Sequence, residues 1–250
     1  PPPPPQFSSR RRHTISTVGS RGLGDLYKRQ GEYFAAVARR AGKIASDLLF
    51  SGRWGHEEPE WFDHRHHLLD PERWYSDYWT LSADNVIPYL PQGGVLLDFC
   101  SGDGFYDYYY YARRAREVVC VEFDEEVFRH ASRLHKAQNI QYVLGSVLDY
   151  EPALNYYDVV VIRGAIEHFS QQQQQTIFMK ALQALKVGGW FCGDTPANPQ
   201  KGSLLLSHHE HEWADEYEMR RELETIFSYV ETYSVQSKDR VTLFWRCKKV

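Results

Sequence analysis

The stretch Leu97-Asp98-Phe99-Cys100-Ser101-Gly102-Asp103-Gly104 decides the fold of this 250-residue chain. It completes an apolar run over residues 95–100, which predicts a buried β-strand, and it continues into a turn that contains two glycines. A tight turn alone can explain the glycines. Because glycine has no Cβ, however, a ligand can also approach such a backbone, and the helix that follows presents free N–H groups. The stretch therefore predicts a strand–turn–helix unit with a candidate ligand site at the turn.

The next predicted strand, over residues 117–123, supports a ligand at that turn. After a spacing of about 20 residues it ends in Glu122 and Phe123. Glu122 can accept hydrogen bonds from ribose hydroxyls, and Phe123 can lie against an adenine ring. The alternative for Glu122 is an exposed carboxylate at a strand end. Its coincidence with the predicted turn favours the binding of a nucleoside-containing cofactor.

Short apolar runs alternate with helical patterns from Gly94 onward, which predicts βαβ units and a parallel sheet. The predicted strands of this part are residues 95–100, 117–123, 140–144, 158–163 and 189–194. The predicted helices are residues 124–137, 171–186 and a segment near 213–227. Two strand-like runs, 228–235 and 241–248, suggest a closing antiparallel hairpin. We therefore expect an α/β fold with a doubly wound, seven-stranded, mostly parallel sheet.

The residues before the sheet are predicted to form a flexible tail and a helical cap. Residues 1–24 contain no Asp or Glu and several Arg, so organelle targeting is the alternative to a simple tail. Residues 25–50 repeat apolar positions at helical spacing, which predicts an amphipathic helix. That helix could pack within the chain, cover the active site or form a homodimer contact. The expected domains are a tail (1–24), an N-terminal helical cap (25–90) and a catalytic domain (91–250).

Composition excludes several classes of protein. The formal net charge of −4 and the pI of about 6.3 give no global basic field, so a long nucleic acid is a disfavoured partner. No run approaches the roughly 20 consecutive apolar residues of a membrane helix, and we expect a soluble, cytoplasmic protein without a membrane partner. The four cysteines form no CxxC pair, and three of them fall in predicted strands, which indicates core thiols.

Four blocks, in this order and at this spacing, resemble class I S-adenosylmethionine-dependent methyltransferases of the small-molecule type over roughly residues 90–200. The blocks are residues 97–104, the acid Glu122, the segment 157–168 and the turn 185–190. A Rossmann dehydrogenase would share the first two blocks. Its G-x-G-x-x-G fingerprint fails here, because Asp107 stands at the third glycine position.

The resemblance implies S-adenosylmethionine as cofactor and methyl transfer to oxygen, nitrogen or carbon of a small or medium-sized acceptor molecule. Cys100 takes the place that the family usually gives to a first glycine, and Ser146 stands where an Asp commonly reaches the adenine amino group. An RNA or protein methyltransferase, or an inactive scaffold, therefore stays open as an alternative. The implied cofactor contacts are Asp98, Phe99, Cys100, Ser101, Gly102, Gly104, Glu122, Phe123, Ser146, Val147, Arg163 and Gly164. Arg163 could meet a carboxylate of cofactor or substrate, or form a surface pair at the strand end.

Histidines are the candidates for catalysis. A hydroxyl acceptor must lose a proton during methyl transfer, and His168 follows the fourth predicted strand beside the expected position of the methyl group. His209 and His211 lie in a later segment where the family often carries loops that face the substrate. Neither this segment nor the cluster at 63–67 has a recognised metal-ligand spacing, so no metal is expected.

Overall fold

A computed structural model of the chain describes residues 30–42, 44–45, 64, 76–200, 202–237 and 240–250. The chain forms two compact units, Pro1–Gly55 and His56–Val250. In the first unit, residues 30–42 form helix α1, as the apolar periodicity predicts. Its apolar residues Phe34 and Val37 are exposed. The predicted tail over residues 1–24 lies outside the described residues.

Seven strands of the second unit form one sheet. They are β1 (Val95–Phe99), β2 (Glu117–Glu122), β3 (Ile140–Leu144), β4 (Tyr157–Arg163), β5 (Leu185–Pro196), β6 (Tyr229–Gln236) and β7 (Val241–Lys248). Their order across the sheet is β3-β2-β1-β4-β5-β7-β6. The first five strands run parallel, while β7 is antiparallel to both of its neighbours. The predicted doubly wound, mostly parallel sheet and its closing hairpin are confirmed.

Helices connect the strands and pack on the sheet. They are α2 (Ser76–Asp84), α3 (Glu125–Leu134), α4 (Gln171–Ala184) and α5 (Glu216–Leu223). A capping box begins α4, with Ser170 and Gln173 as its two partners. The tyrosine-rich segment after the first turn, expected to be an α-helix, forms instead a single π-helical turn over Asp107–Tyr111. Short 3-10 turns cover Ile87–Tyr89 and Ile166–His168.

Both faces of the sheet are buried. Val95 and Leu97 of β1 join one hydrophobic cluster, whereas Leu96, between them in sequence, joins a second cluster on the opposite face. Successive side chains of a strand point to opposite faces, so this division is what a strand covered on both sides requires. Cys120 and Cys192 are buried free thiols, which confirms the core positions predicted for them, and Cys247 of β7 is buried as well. Cys100 is only partly buried, because it belongs to the turn after β1.

The carboxyl ends of β1, β2 and β4 meet at one edge of the sheet, where the candidate site lies. Strand β5 extends beyond the predicted residues 189–194 because its ladder with β7 continues as far as Pro196 and Thr242. None of the helices in the described residues combines the length and the apolar character that a membrane span requires.

Candidate functional site

The turn after β1, residues 100–104, is hereafter the glycine turn. Cys100, Gly102 and Gly104 all have a positive φ, of 59°, 58° and 70°. Glycine adopts this conformation readily, whereas a non-glycine residue such as Cys100 does so at a cost. A Cβ added to Gly102 would meet no atom within 4 Å, so open space lies beside the backbone at this point. The glycine turn is thus shaped to let a ligand reach its main chain.

Glu122 lies at the end of β2, directly against the glycine turn. Its Oε2 accepts a hydrogen bond of 2.9 Å from the Gly102 N–H, and its Oε1 accepts one of 2.9 Å from the Asp124 N–H. Burial raises the pKa of Glu122, and these backbone donors oppose the rise. The strand-end acid and the glycine turn are therefore brought together as the sequence predicts.

Asp98 and Arg163 form a buried ion pair beneath the turn. An Arg163 guanidinium nitrogen lies 2.8 Å from Asp98 Oδ2, and the guanidinium carbon lies 3.8 Å from the centre of the Tyr106 ring. Side-chain exposure is 8% for Arg163 and 0% for Asp98. The proposed surface pair for Arg163 is therefore wrong, because the carboxylate it meets is inside the domain. A buried pair of this kind orients the strand ends and does not by itself add stability.

The residues of this edge fit an adenosyl cofactor. Asp98 Oδ1 and Ser101 Oγ are buried and accept no hydrogen bond from the described residues, although the buried Asp107 carboxyl lies beside Asp98. Buried polar atoms are normally satisfied, so these two atoms and the open space at Gly102 are suited to the polar groups of a bound molecule. Asp98, Ser101 and Glu122 are the side chains that would hold the cofactor.

The remaining predicted cofactor residues differ in their exposure and in their contacts. Phe99 and Val147 are core residues, so a cofactor could touch only their main chain. Phe123 is 69% exposed beside Glu122, which leaves its ring free to cover an adenine. Ser146 Oγ accepts a 3.2 Å hydrogen bond from the Leu148 N–H and so shapes the turn after β3. Gly164 has a φ of 51°, and its N–H donates to the Asp194 carbonyl at 2.9 Å.

His64, from the histidine-rich stretch at 63–67, contacts the glycine turn. Its ring Nδ1 lies 2.9 Å from Asp103 Oδ1, and its backbone N–H donates to Oδ2 at 2.8 Å. The ring also stacks on Phe105 with centroids 5.2 Å apart. Although burial acts to raise it, the pKa of Asp103 is held at about 2 by His64 and by the charge of His135. No periodicity marks such a single long-range contact.

A second feature lies beyond β4, where His168 meets two histidines of the loop between β5 and α5. The His168 ring is stacked on His208 at a centroid distance of 5.0 Å and meets the edge of His209 at 4.9 Å. We call His168, His208 and His209 the histidine cluster. Burial, and then the nearby charges of His209 and His208, lower the pKa of His168, which favours its neutral form.

His211 does not join the histidine cluster. Its Nδ1 lies 2.9 Å from Gln174 Oε1 on α4, and its Nε2 lies 3.8 Å from a Glu222 oxygen on α5. These contacts connect the loop to two helices. Of the three catalytic candidates, the structure therefore brings together His168 and His209, and it adds His208 in place of His211.

Glu167 is a further acid that the sequence analysis passed over. Burial raises its pKa to about 7, and the Thr195 hydroxyl donates to its Oε2 at 2.9 Å. Burial raises the pKa of the Cys100 thiol. The nearby charges of Glu122, Asp98 and Glu167 raise this pKa further. Glu167 therefore lies between the glycine turn and the histidine cluster. The one feature of the sequence that could have pointed to Glu167 is its place next to His168, with which it shares a 3-10 turn.

The loop between β5 and α5 also borders an open cavity of about 600 Å³. Its lining is largely polar and includes Asn198, Gln200, Ser207, Glu210 and His211. A volume in this range is typical of sites for small molecules. The cavity is therefore a candidate for the binding of an acceptor.

Comparison with known proteins agrees with this geometry. Residues 96–189 match the family model of a methyltransferase domain. That range contains β1 except for Val95, strands β2 to β4, the glycine turn and His168. The match supports the predicted class I S-adenosylmethionine-dependent methyltransferase, with S-adenosylmethionine as its cofactor. No protein of curated function matches the sequence significantly.

Solved structures confirm the fold. An S-adenosylmethionine-dependent methyltransferase from Mesorhizobium loti is 13% identical with a TM-score of 0.53, over 68% of this chain and 96% of that one. The DhpI–SAH complex is 13% identical with a TM-score of 0.56, over 85% of this chain and 95% of that one. Phosphoethanolamine N-methyltransferase 2 of Haemonchus contortus is 14% identical with a TM-score of 0.59, over 68% of this chain and 52% of that one.

Proposed function

We propose that this methyltransferase transfers the methyl group of S-adenosylmethionine to a small or medium-sized acceptor that binds in the 600 Å³ cavity. The observation that carries the proposal is the position of Glu122. Its carboxylate lies 2.9 Å from the Gly102 N–H, so the acid for the ribose and the open backbone for the rest of the cofactor share one place.

The chemical demands on the protein are modest, because the bound cofactor supplies an already activated methyl group. The chain has to orient the cofactor and align the acceptor with the methyl carbon. Glu122 is the proposed contact for the ribose, while Asp98 Oδ1 and Ser101 Oγ offer the unpartnered polar atoms beside it. His168 and His209 lie past the end of β4 and are the proposed groups for the acceptor proton. We assign His211 a positioning role, through its contacts to α4 and α5.

A binding measurement on Glu122 tests the proposal. We expect the full chain to bind S-adenosylmethionine with a micromolar dissociation constant, on the order of −8 kcal/mol. Glu122→Gln should weaken binding by roughly 1–3 kcal/mol, because a charge-assisted acceptor is lost while its shape is kept. Glu125→Gln is the matched control, since Glu125 is an exposed acid that pairs with Arg129 in the next turn of α3. Calorimetry in which Glu122→Gln and Glu125→Gln bind equally well would overturn the assignment of the ribose.

The alternative functions are separated by their acceptors. A panel of small hydroxyl, amine and phosphate-bearing molecules should yield methylated product with the full chain, whereas RNA and denatured protein extract should not. Methylation confined to RNA or protein would contradict the proposed acceptor class and leave the cofactor assignment intact. Tight cofactor binding without any methylation in all of these pools would favour an inactive scaffold.

A further inference from the structure

The histidine cluster places three nitrogen ligands close together. One side chain comes from the 3-10 turn after β4, and two come from the loop between β5 and α5. The ring nitrogens that the three side chains offer lie within 4.8 Å of one another. Among the described residues, no other group of three His, Cys, Asp or Glu side chains has this proximity. Neither histidine-rich segment has a metal-ligand spacing by itself. Folding, however, brings His168 next to the segment that contains His208 and His209.

Glu212 orients one of these ligands. His209 Nδ1 is hydrogen-bonded to Glu212 Oε1, and the two side chains are 3% and 2% exposed. Asn198 Nδ2 donates to Glu212 Oε2 at 2.6 Å, and the Leu205 N–H donates to the same carboxylate at 3.1 Å. A carboxylate can only accept, so Nδ1 must carry the proton and Nε2 keeps its lone pair. Histidines that bind metals typically have such a carboxylate behind them.

We propose that His168, His208 and His209 bind one divalent transition-metal ion of the Zn²⁺ type, with Glu212 fixing the orientation of His209. A purely imidazole donor set suits Zn²⁺, Co²⁺, Ni²⁺ and Cu²⁺ better than Mg²⁺ or Ca²⁺, which prefer oxygen. Three protein nitrogens also leave one position of a tetrahedral ion for water or an acceptor atom.

The geometry requires a small adjustment. With Zn–N bonds of about 2.0–2.1 Å, tetrahedral ligand atoms lie about 3.4 Å apart, so the nitrogens must approach one another from their present separation. His208 is exposed and therefore has room to rotate. His209 is fixed by Glu212, and His168 is partly buried, so the movement falls on His208, the least constrained of the three ligands.

One consequence rests on the proposed function. In the metal-bound protein the histidine nitrogens are ligands, so the acceptor proton would leave to solvent instead of passing to His168. A divalent ion lowers the pKa of a coordinated hydroxyl. The O–H bond of a hydroxyl acceptor would then break with loss of the proton to water, the new O–CH₃ bond would form, and the S–CH₃ bond would break to leave a neutral thioether. The metal site itself does not depend on this step.

The test is a titration of the chelator-treated full chain with Zn²⁺ by calorimetry and with Co²⁺ by visible absorption. We expect one ion to bind through the histidine cluster, with a Co²⁺ spectrum of low coordination number. His208→Ala removes a ligand at an exposed position and should weaken this binding by more than the roughly 10–100-fold expected for Glu212→Gln, which removes only an outer hydrogen bond. His211→Gln is the control for metal binding, because it removes a histidine of the same loop that lies outside the cluster.

The outcomes are distinct. Absence of a bound ion, or equal affinity in wild type, His208→Ala and His168→Asn, would overturn the metal site. Binding of S-adenosylmethionine is measured on the same samples. Loss of metal binding with intact cofactor binding contradicts only the metal site, whereas intact metal binding in a chain that does not bind the cofactor contradicts only the proposed function.

Discussion

Asp103 connects a segment from before the sheet to the glycine turn. It is 1% exposed, and both of its oxygens contact His64. The ordinary pKa of 3.8 falls to about 2 in the folded protein, so this carboxylate stabilises the fold above pH 4 and loses that contribution as the pH falls toward 2. The difference corresponds to about 2 kcal/mol at neutral pH.

We therefore predict that Asp103→Asn lowers the free energy of unfolding by about 2 kcal/mol at pH 7. The difference from wild type should narrow between about pH 4 and pH 2, because the wild-type carboxyl is then protonated as well. Urea unfolding at a series of pH values measures this difference in the free energy of unfolding, with Asp84→Asn at the exposed end of α2 as the control. A difference that stays constant down to pH 2 would show that the charge on Asp103 is irrelevant.

Helix α3 positions the residues that follow Glu122. Asp124 is its N-cap, and Oδ1 accepts hydrogen bonds of 2.7 Å from the Glu126 N–H and 3.0 Å from the Val127 N–H. Asp124→Ala should cost about 1 kcal/mol of stability, because two helix donors lose their partner. Asp124→Asn keeps an acceptor oxygen and should cost much less. Thermal unfolding of the two variants side by side makes the comparison, and equal losses would contradict the capping role.

Periodicity predicts the elements well because burial imposes it locally. The strands are apolar runs buried on both faces, and Asp124 and Ser170 begin helices where a capping residue precedes an apolar pattern. The site is predictable only in part. The spacing after the glycine turn predicts Glu122. Other features depend on how distant segments of the chain meet: the contact of His64 with Asp103, the pair of Asp98 with Arg163, and the presence of His208 instead of His211 in the histidine cluster.

At the scale of the whole molecule, Gly193 of β5 lies between β4 and β7 and close to both strands. A Cβ at this position would lie 2.1 Å from the Trp245 ring of β7 and 2.3 Å from the Ile162 carbonyl of β4. Backbone cannot move aside cheaply in the middle of a sheet, so Gly193→Ala should destabilise the fold by 3 kcal/mol or more, at or above the usual range of about 1–3 kcal/mol for overpacking. Gly202→Ala is the control for an added methyl group, since nothing lies within 4 Å there, although its φ of 98° adds some strain. Unfolding of Gly193→Ala at the wild-type temperature would refute this account of the close approach.

The position of β7 also determines when the sheet can be completed during synthesis. Strand β5 is paired with β4 on one side, but its other edge is closed only by β7, whose residues Val241–Lys248 are made after the other six strands. Until then β5 presents an unpaired apolar edge, the feature by which nascent chains join to one another. A nascent chain stalled or cut before residue 241 would therefore be a substrate for chaperones, although every residue matched by the methyltransferase domain had already been made.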